Sequence, residues 1–274
     1  MREESLLRIA RKISWRPLRK VILQKLFRRH KLHLQELFSF QNDRFFIFKV
    51  NDRYIPNESL VAVSYETQLE KCRNESLAFY QPAAGDVIVD AGAGLGEETL
   101  CYSSLTGPNG KVYAIEANPA VFNILEKTIA LNELSNVKSF NLAIYTENSP
   151  VQMDEEDPSY EAGYIKNTPG PRGIPGMTMA NFMISNNITT IDLLKANIEG
   201  AERFLVDTIT SGQYLNIRHV AIACHDFRFR KEGNSFFKTK EHVIGVLEKN
   251  GFIVQTRNTG IEYLDDWVYG SNNI

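Results

Sequence analysis

Acids at the ends of apolar runs, placed beside glycines, are the residues of this sequence whose types and spacing best suit chemistry. The segment Asp86-Val87-Ile88-Val89-Asp90-Ala91-Gly92-Ala93-Gly94-Leu95-Gly96-Glu97-Glu98-Thr99 runs a short strand into three alternate glycines. Glycines so placed permit a tight turn and let a ligand touch the backbone ahead of a helix N-terminus. A dinucleotide fingerprint would need glycine where Glu97 stands, and a carboxylate at a helix start repels a pyrophosphate, so NAD is disfavoured. S-adenosylmethionine carries a sulfonium and an ammonium and no phosphate, so Asp90 at the strand end would attract it. Asp90, Ala91, Gly92, Gly94, Gly96 and Thr99 are therefore candidate contacts for that cofactor.

A second apolar run ends Ala114-Ile115-Glu116-Ala117-Asn118-Pro119. Glu116 there could accept both hydroxyl protons of a ribose, with Ala117 and Asn118 beside it. Glu116 and Asn118 equally fit a cap on the helix that Pro119 opens. At a third strand end, Asn141 is a candidate neighbour of an adenine. A later run, Ala221-Ile222-Ala223-Cys224-His225-Asp226-Phe227, puts His225 at another strand end. An imidazole near its ordinary pKa of ~6.5 suits accepting a proton from an alcohol. A lone histidine equally fits a satisfied structural position.

The elements that must carry these residues follow from periodicity. Strands are predicted over 87–89, 112–115, 137–142, 191–198 and 217–224, with a closing pair at 252–254 and 263–268. Helices are predicted over 97–106, 119–132, 200–210 and 236–249. Repeated strand-helix units give an α/β fold, a mainly parallel sheet covered by helices on both faces. Residues 5–40 read as helix restarting at Pro17, 44–64 as short antiparallel strands and 65–80 as helix. The chain divides into a basic helical arm (1–43), a connecting part (44–84) and a core domain (85–274). Within the core, 146–188 holds five of the ten prolines and four glycines, which fits a substrate-side lid as well as disorder.

On these motifs the chain resembles the FkbM-type methyltransferases, within the Rossmann-like, seven-stranded class I group that uses S-adenosylmethionine. The resemblance covers about 85–255 and rests on Val-Asp-Ala-Gly-Ala-Gly-Leu-Gly, Ala-Ile-Glu-Ala-Asn-Pro, Ala130-Leu131-Asn132-Glu133-Leu134-Ser135-Asn136-Val137 and the stretch from Asp192 to Glu202. It implies O-methylation of a hydroxyl on a sugar, glycolipid or natural product. The family usually shows Lys-x-Asp-x-Glu-Gly-Ala-Glu in the last stretch, and here the acid is Asn197. Asparagine can orient a hydroxyl but neither takes its proton nor holds a hard cation well, so no metal is expected. Asn197, Glu199 and His225 are the candidate catalytic residues. Glu199 and Glu202 also fit simple first-turn acids of a helix. The alternative function is a scaffold that binds cofactor or protein and has lost catalysis at Asn197.

Composition sets the remaining limits. With 274 residues, 43% hydrophobic and 23% charged, the chain supports a sizeable core. Three separated cysteines suggest neither disulfides nor zinc, and no apolar run approaches the ~18 residues of a membrane span, so a cytoplasmic location is expected. The net charge of -2 implies no nucleic-acid partner, but residues 1–40 hold eleven Lys/Arg against three Glu. That arm is expected to dock its apolar face on the body or on a second subunit, leaving Arg11, Lys12, Arg19, Lys20, Arg28 and Arg29 for an anionic membrane periphery. A solvated helical face with no partner is the plain alternative.

Overall fold

The computed structural model describes residues 3–13, 16–153, 165–166, 173–209 and 216–272. The chain opens with helices α1 (Glu3–Lys12) and α2 (Arg16–Arg29), followed by strands β1 (Leu34–Phe40), β2 (Phe45–Val50) and β3 (Arg53–Asn57) and helix α3 (Tyr65–Asn74). Then come β4 (Val87–Ala91), α4 (Glu97–Thr106), β5 (Lys111–Ile115), α5 (Pro119–Leu131) and β6 (Val137–Phe140). Four two-residue strands follow: β7 (Ala143–Ile144), β8 (Gln152–Met153), β9 (Ile165–Lys166) and β10 (Gly176–Met177). The chain continues through α6 (Met179–Ser185), β11 (Ile191–Ala196), α7 (Glu202–Ile209), β12 (Ile217–Ala223), α8 (Asp226–Glu232), α9 (Lys240–Lys249), β13 (Ile253–Thr256), α10 (Glu262–Asp265) and β14 (Trp267–Ser271).

Largely apolar runs make the central strands, because both faces of each are covered. The seven-stranded sheet has the order β13-β14-β12-β11-β4-β5-β6. Its inner pairs are parallel, and β14 runs antiparallel to both β12 and β13. Alternation then sorts the side chains into two layers. Val89, Leu194 and Ile222 pack with Phe182, Leu205 and Leu247 of α6, α7 and α9. Their neighbours Ile88, Leu193 and Ala221 pack on the other side with Cys72 and Tyr102 of α3 and α4. The chain lays down β4, β5 and β6 in one direction and then returns to place β11 and β12 on the opposite side of β4. The carboxyl ends of β4 and β11 thus form a switch point, where open α/β sheets leave a crevice.

The predicted helix over 5–40 is broken. Lys31 takes a left-handed φ of 59°, and the Leu32 N–H donates back to the Phe27 carbonyl, which closes α2 in a reversed turn. Residues 34–40 become β1, which pairs antiparallel with β2. The Leu34–Leu37 spacing of three reads as helical, but the partner strand decides the conformation. The N-terminal helices and strands pack on the body. Phe46, Phe48 and Val50 on one face of β2 pack with Ala10, Leu23, Leu26 and Phe27, together with Leu100 of α4. Phe45 and Ile47 on the other face pack against Leu95, Val121 and Ile124. Arg19, expected on a charged outer face, is 3% exposed; its Nε donates to the Ile13 carbonyl and its guanidinium pairs with Asp43 at 2.6 Å.

Helix α3 stops at Asn74, short of the predicted end at 80, α8 lies where no helix is predicted, and α10 takes the first half of the predicted strand 263–268, so that β14 begins only at Trp267. In the Pro/Gly-rich interruption, residues 154–164 and 167–172 lie outside the described residues. The part from 176 to 185 belongs to the body, since β10 pairs with β7 and α6 buries Met179, Phe182 and Met183. Among the described residues, no helix is long and apolar enough to cross a membrane.

Phe27 is fully buried between α2 and the N-terminal sheet. Phe27→Ala should destabilise the protein by about 3–5 kcal/mol, read as a lowered midpoint in urea unfolding.

Candidate active site

The glycine turn is clamped from both sides. The Gly92 and Ala93 N–H groups both donate to the Ile115 carbonyl at 2.9 Å, and the Asn197 N–H donates to the Ala91 carbonyl at 3.0 Å. Gly92 has a φ of 75°, and a Cβ built on it would lie 1.9 Å from the Asn197 carbonyl oxygen, so only glycine fits. Gly96, with φ of 97°, opens α4 without a side-chain cap. Above the turn lies a cavity of about 840 Å³, lined among others by Gly92, Gly94, Glu116, Asn197, Glu199 and His225. Ala91 and Ala117 also face it.

Asp90 does not face the cavity. It is fully buried, and its carboxylate accepts from Thr99 Oγ1 at 2.7 Å and pairs with Lys195 Nζ at 2.9 Å. Lys195 also reaches Glu98 at 2.8 Å and the Gly92 carbonyl at 3.0 Å. Burial works against the Lys195 charge, but Asp90 and Glu98 outweigh it and raise the pKa. Burial likewise pushes the Asp90 carboxyl upward, with Lys195 pulling it back. At Glu98 the cation wins over burial, and the carboxyl lies below its ordinary range. The acid expected to attract a cationic ligand therefore already has its cation. Lys195 is not among the site residues expected from sequence, although it stands first in the Lys-x-Asp-x-Glu-Gly-Ala-Glu stretch and interrupts the largely apolar strand Ile191–Ala196.

Glu116 sits where the second strand end predicts it and lines the cavity. Its Oε2 accepts from the Gly94 N–H at 3.0 Å and its Oε1 from the Asn118 N–H at 2.7 Å. Burial pushes its pKa up to about 7 against those two donors. Each oxygen keeps accepting capacity beyond its one backbone bond. Asn118 instead caps α5, accepting from the Ala120 and Val121 N–H groups. Asn141 Nδ2 donates to the carbonyls of Glu116 and Ala117, bracing that strand end. Asn118, Asn141, Thr99 and Gly96 shape the cavity without lining it.

His225 is brought to the cavity between two acids. Its Nδ1 lies 2.9 Å from Glu202 Oε1 and its Nε2 3.0 Å from Glu199 Oε1. Burial alone would lower its pKa, but the two carboxylates overcome this and raise it to about 10. At neutral pH both ring nitrogens therefore donate, and His225 has no lone pair for a substrate proton, which corrects its expected role as a base. Glu202 is fully buried and also accepts from the Gly200 N–H and Thr239 Oγ1. Glu199 adopts a left-handed φ of 52° and takes a second cation, Arg228, at 2.8 Å. Arg228 was not visible as a site residue, because it reaches Glu199 only when α8 follows directly on His225. Asn197 Oδ1 is buried without a hydrogen-bond partner, the one cavity-lining side chain of the described residues in that state.

The model of the Methyltransferase FkbM domain matches residues 90–254. Among solved structures the chain is similar to a putative O-methyltransferase from Klebsiella pneumoniae, at 9% identity over 99% of this chain and 96% of that one, with a TM-score of 0.47. It is also similar to the O-methyltransferase TomG from Streptomyces achromogenes, solved with S-adenosylmethionine, at 8% identity over 77% and 81% with a TM-score of 0.46. Fibrillarin from Aeropyrum pernix, with natively bound S-adenosylmethionine, matches at 13% identity over 87% and 98% with a TM-score of 0.45. No curated protein matches the chain.

The charge state of His225 is directly measurable. Its folded pKa of about 10 lies above the ordinary ~6.5, so its stabilising effect is fully present below pH ~6.5 and lost as pH rises through 10. The His225 ring resonance in NMR should titrate near pH 10, and stability should fall by up to ~1.4 kcal/mol per pH unit across that window, relative to His225→Gln. Titration near 6.5 would contradict the imidazolium.

Proposed function

The chain belongs to the FkbM methyltransferase family, with the Rossmann-like class I fold and S-adenosylmethionine as methyl donor, and we propose that it methylates a hydroxyl of a sugar, glycolipid or natural product in the cavity above Gly92. The residues present fit that donor. Glu116 offers two carboxylate oxygens with spare accepting capacity, and the cavity carries more acids than cations, which suits a ligand bearing a sulfonium and an ammonium. Gly92 and Gly94 leave the turn without side chains, so a ligand can lie against the backbone. When bound, the donor supplies an electrophilic methyl group on a sulfonium, a good leaving group.

The observation that carries the hydroxyl reading is the unpartnered Asn197 Oδ1. A buried acceptor without a donor is costly, and a hydroxyl in the cavity would satisfy it once the Asn197 side chain turns Oδ1 toward that cavity. Accepting the O–H hydrogen bond turns an oxygen lone pair toward the reacting carbon. The hydroxyl has one proton, so that bond holds the ground state; as the C–O bond forms and the C–S bond breaks, the proton turns from Asn197 Oδ1 to Glu199, the cavity-lining carboxylate two residues on. His225 and Arg228 hold Glu199 in place, one at each carboxylate oxygen. Rate then comes mainly from alignment and exclusion of water, which needs no strong base. Asn197 in place of the family's usual acid is compatible with such a mechanism.

Glu116→Ala should weaken S-adenosylmethionine binding by about 1–3 kcal/mol in calorimetry, because two ribose hydroxyls lose their acceptor. With methyl-labelled donor, the wild type should transfer label to oxygen of a hydroxylated saccharide or natural product. Unchanged affinity would refute the cofactor position, and label found on nitrogen or carbon alone would refute the hydroxyl acceptor.

A further inference from the structure

We propose that the outer face of α1 and α2 docks on an anionic lipid surface. The buried side of these helices is spent on the N-terminal core, through Leu6, Ala10, Leu23, Leu26 and Phe27. The opposite side of α2 presents Leu18, Val21, Lys25 and Arg28, all exposed and spaced three or four apart, so they form one stripe along the helix. Leu18 and Val21 are 41% and 48% exposed, and Ile9 of α1 is 38% exposed. Burying Arg19 while leaving two large aliphatic side chains in water is the reverse of what a helix facing only solvent requires.

Charge chooses the occupant. Residues 16–33 contain seven Lys/Arg, Arg29 next to the stripe among them, and no Asp or Glu, and Arg11 and Lys12 of α1 are exposed as well. The net charge of the whole chain is -2, so the residues outside 16–33 sum to -9, the difference between -2 and +7. An anionic bilayer therefore attracts this face and repels the rest, which orients the molecule as well as binding it. Leu18, Val21 and Ile9 enter the headgroup boundary while the Lys and Arg side chains reach phosphates, the arrangement of an interfacial helix. Single-stranded nucleic acid would instead favour exposed aromatic side chains among the cations, and this stripe has none. The proposal does not depend on which acceptor is methylated.

The test is co-sedimentation of the full chain with phosphatidylglycerol/phosphatidylcholine vesicles and with pure phosphatidylcholine vesicles, at low and high salt. The wild type should bind the anionic vesicles, with affinity falling as salt rises. Lys25→Glu with Arg28→Glu and Arg29→Glu should weaken binding by at least about tenfold. Leu18→Ser with Val21→Ser should weaken it while keeping the salt dependence, and both variants should melt like the wild type because the altered residues are exposed. Equal binding to the two vesicle types at low salt would overturn the proposal. So would wild-type binding by a folded charge-reversal variant, or tighter binding to polyuridylate RNA than to the anionic vesicles.

Discussion

A single buried cation holds the active-site end of the sheet together. Lys195 lies directly across the parallel ladder from Asp90, and its ammonium bridges Asp90, Glu98 and the Gly92 carbonyl. It thereby joins β11, β4, the first turn of α4 and the glycine turn at one point. Removing three charges from water is expensive, and the arrangement holds only because their hydrogen bonds are satisfied: Asp90 by Thr99, and Glu98 by Ser76 and Tyr102. Loss of one partner would leave a carboxylate stranded, at a cost of about 3–5 kcal/mol.

The same device recurs at the other side of the cavity. There His225 is the cation between two carboxylates, Glu199 and Glu202, and Arg228 balances the surplus charge. Each cluster fixes a strand end that faces the cavity, and neither presents an unbalanced cation to a ligand. Between the two clusters, Glu116 and Asn197 line the cavity over a turn with little side chain. Such a site suits a cationic donor.

The strands, the glycine turn and the position of Glu116 were legible because they depend on local pattern: apolar runs, alternate glycines, and an acid at a run's end. The N-terminal sheet was only partly legible, since Leu34 and Leu37 keep a helical spacing and only pairing with β2 makes them a strand. The roles of Asp90 and His225 were not legible at all. Both were seen as strand-end residues, but their protonation and direction are set by partners elsewhere in the chain. Lys195 lies 105 positions from Asp90, and Glu202 lies 23 from His225. Only the strand order β12-β11-β4 brings those charges into contact.

If the buried lysine shapes the glycine turn for its ligand, removing its charge must be felt in binding before any chemistry occurs. The direct measurement is calorimetry of S-adenosylmethionine binding to Lys195→Met, with circular dichroism showing that the variant is folded. At least about tenfold weaker affinity than the wild type is expected, because Gly92 loses a charged donor and the turn loses its anchor. Wild-type affinity in the folded variant would contradict the account.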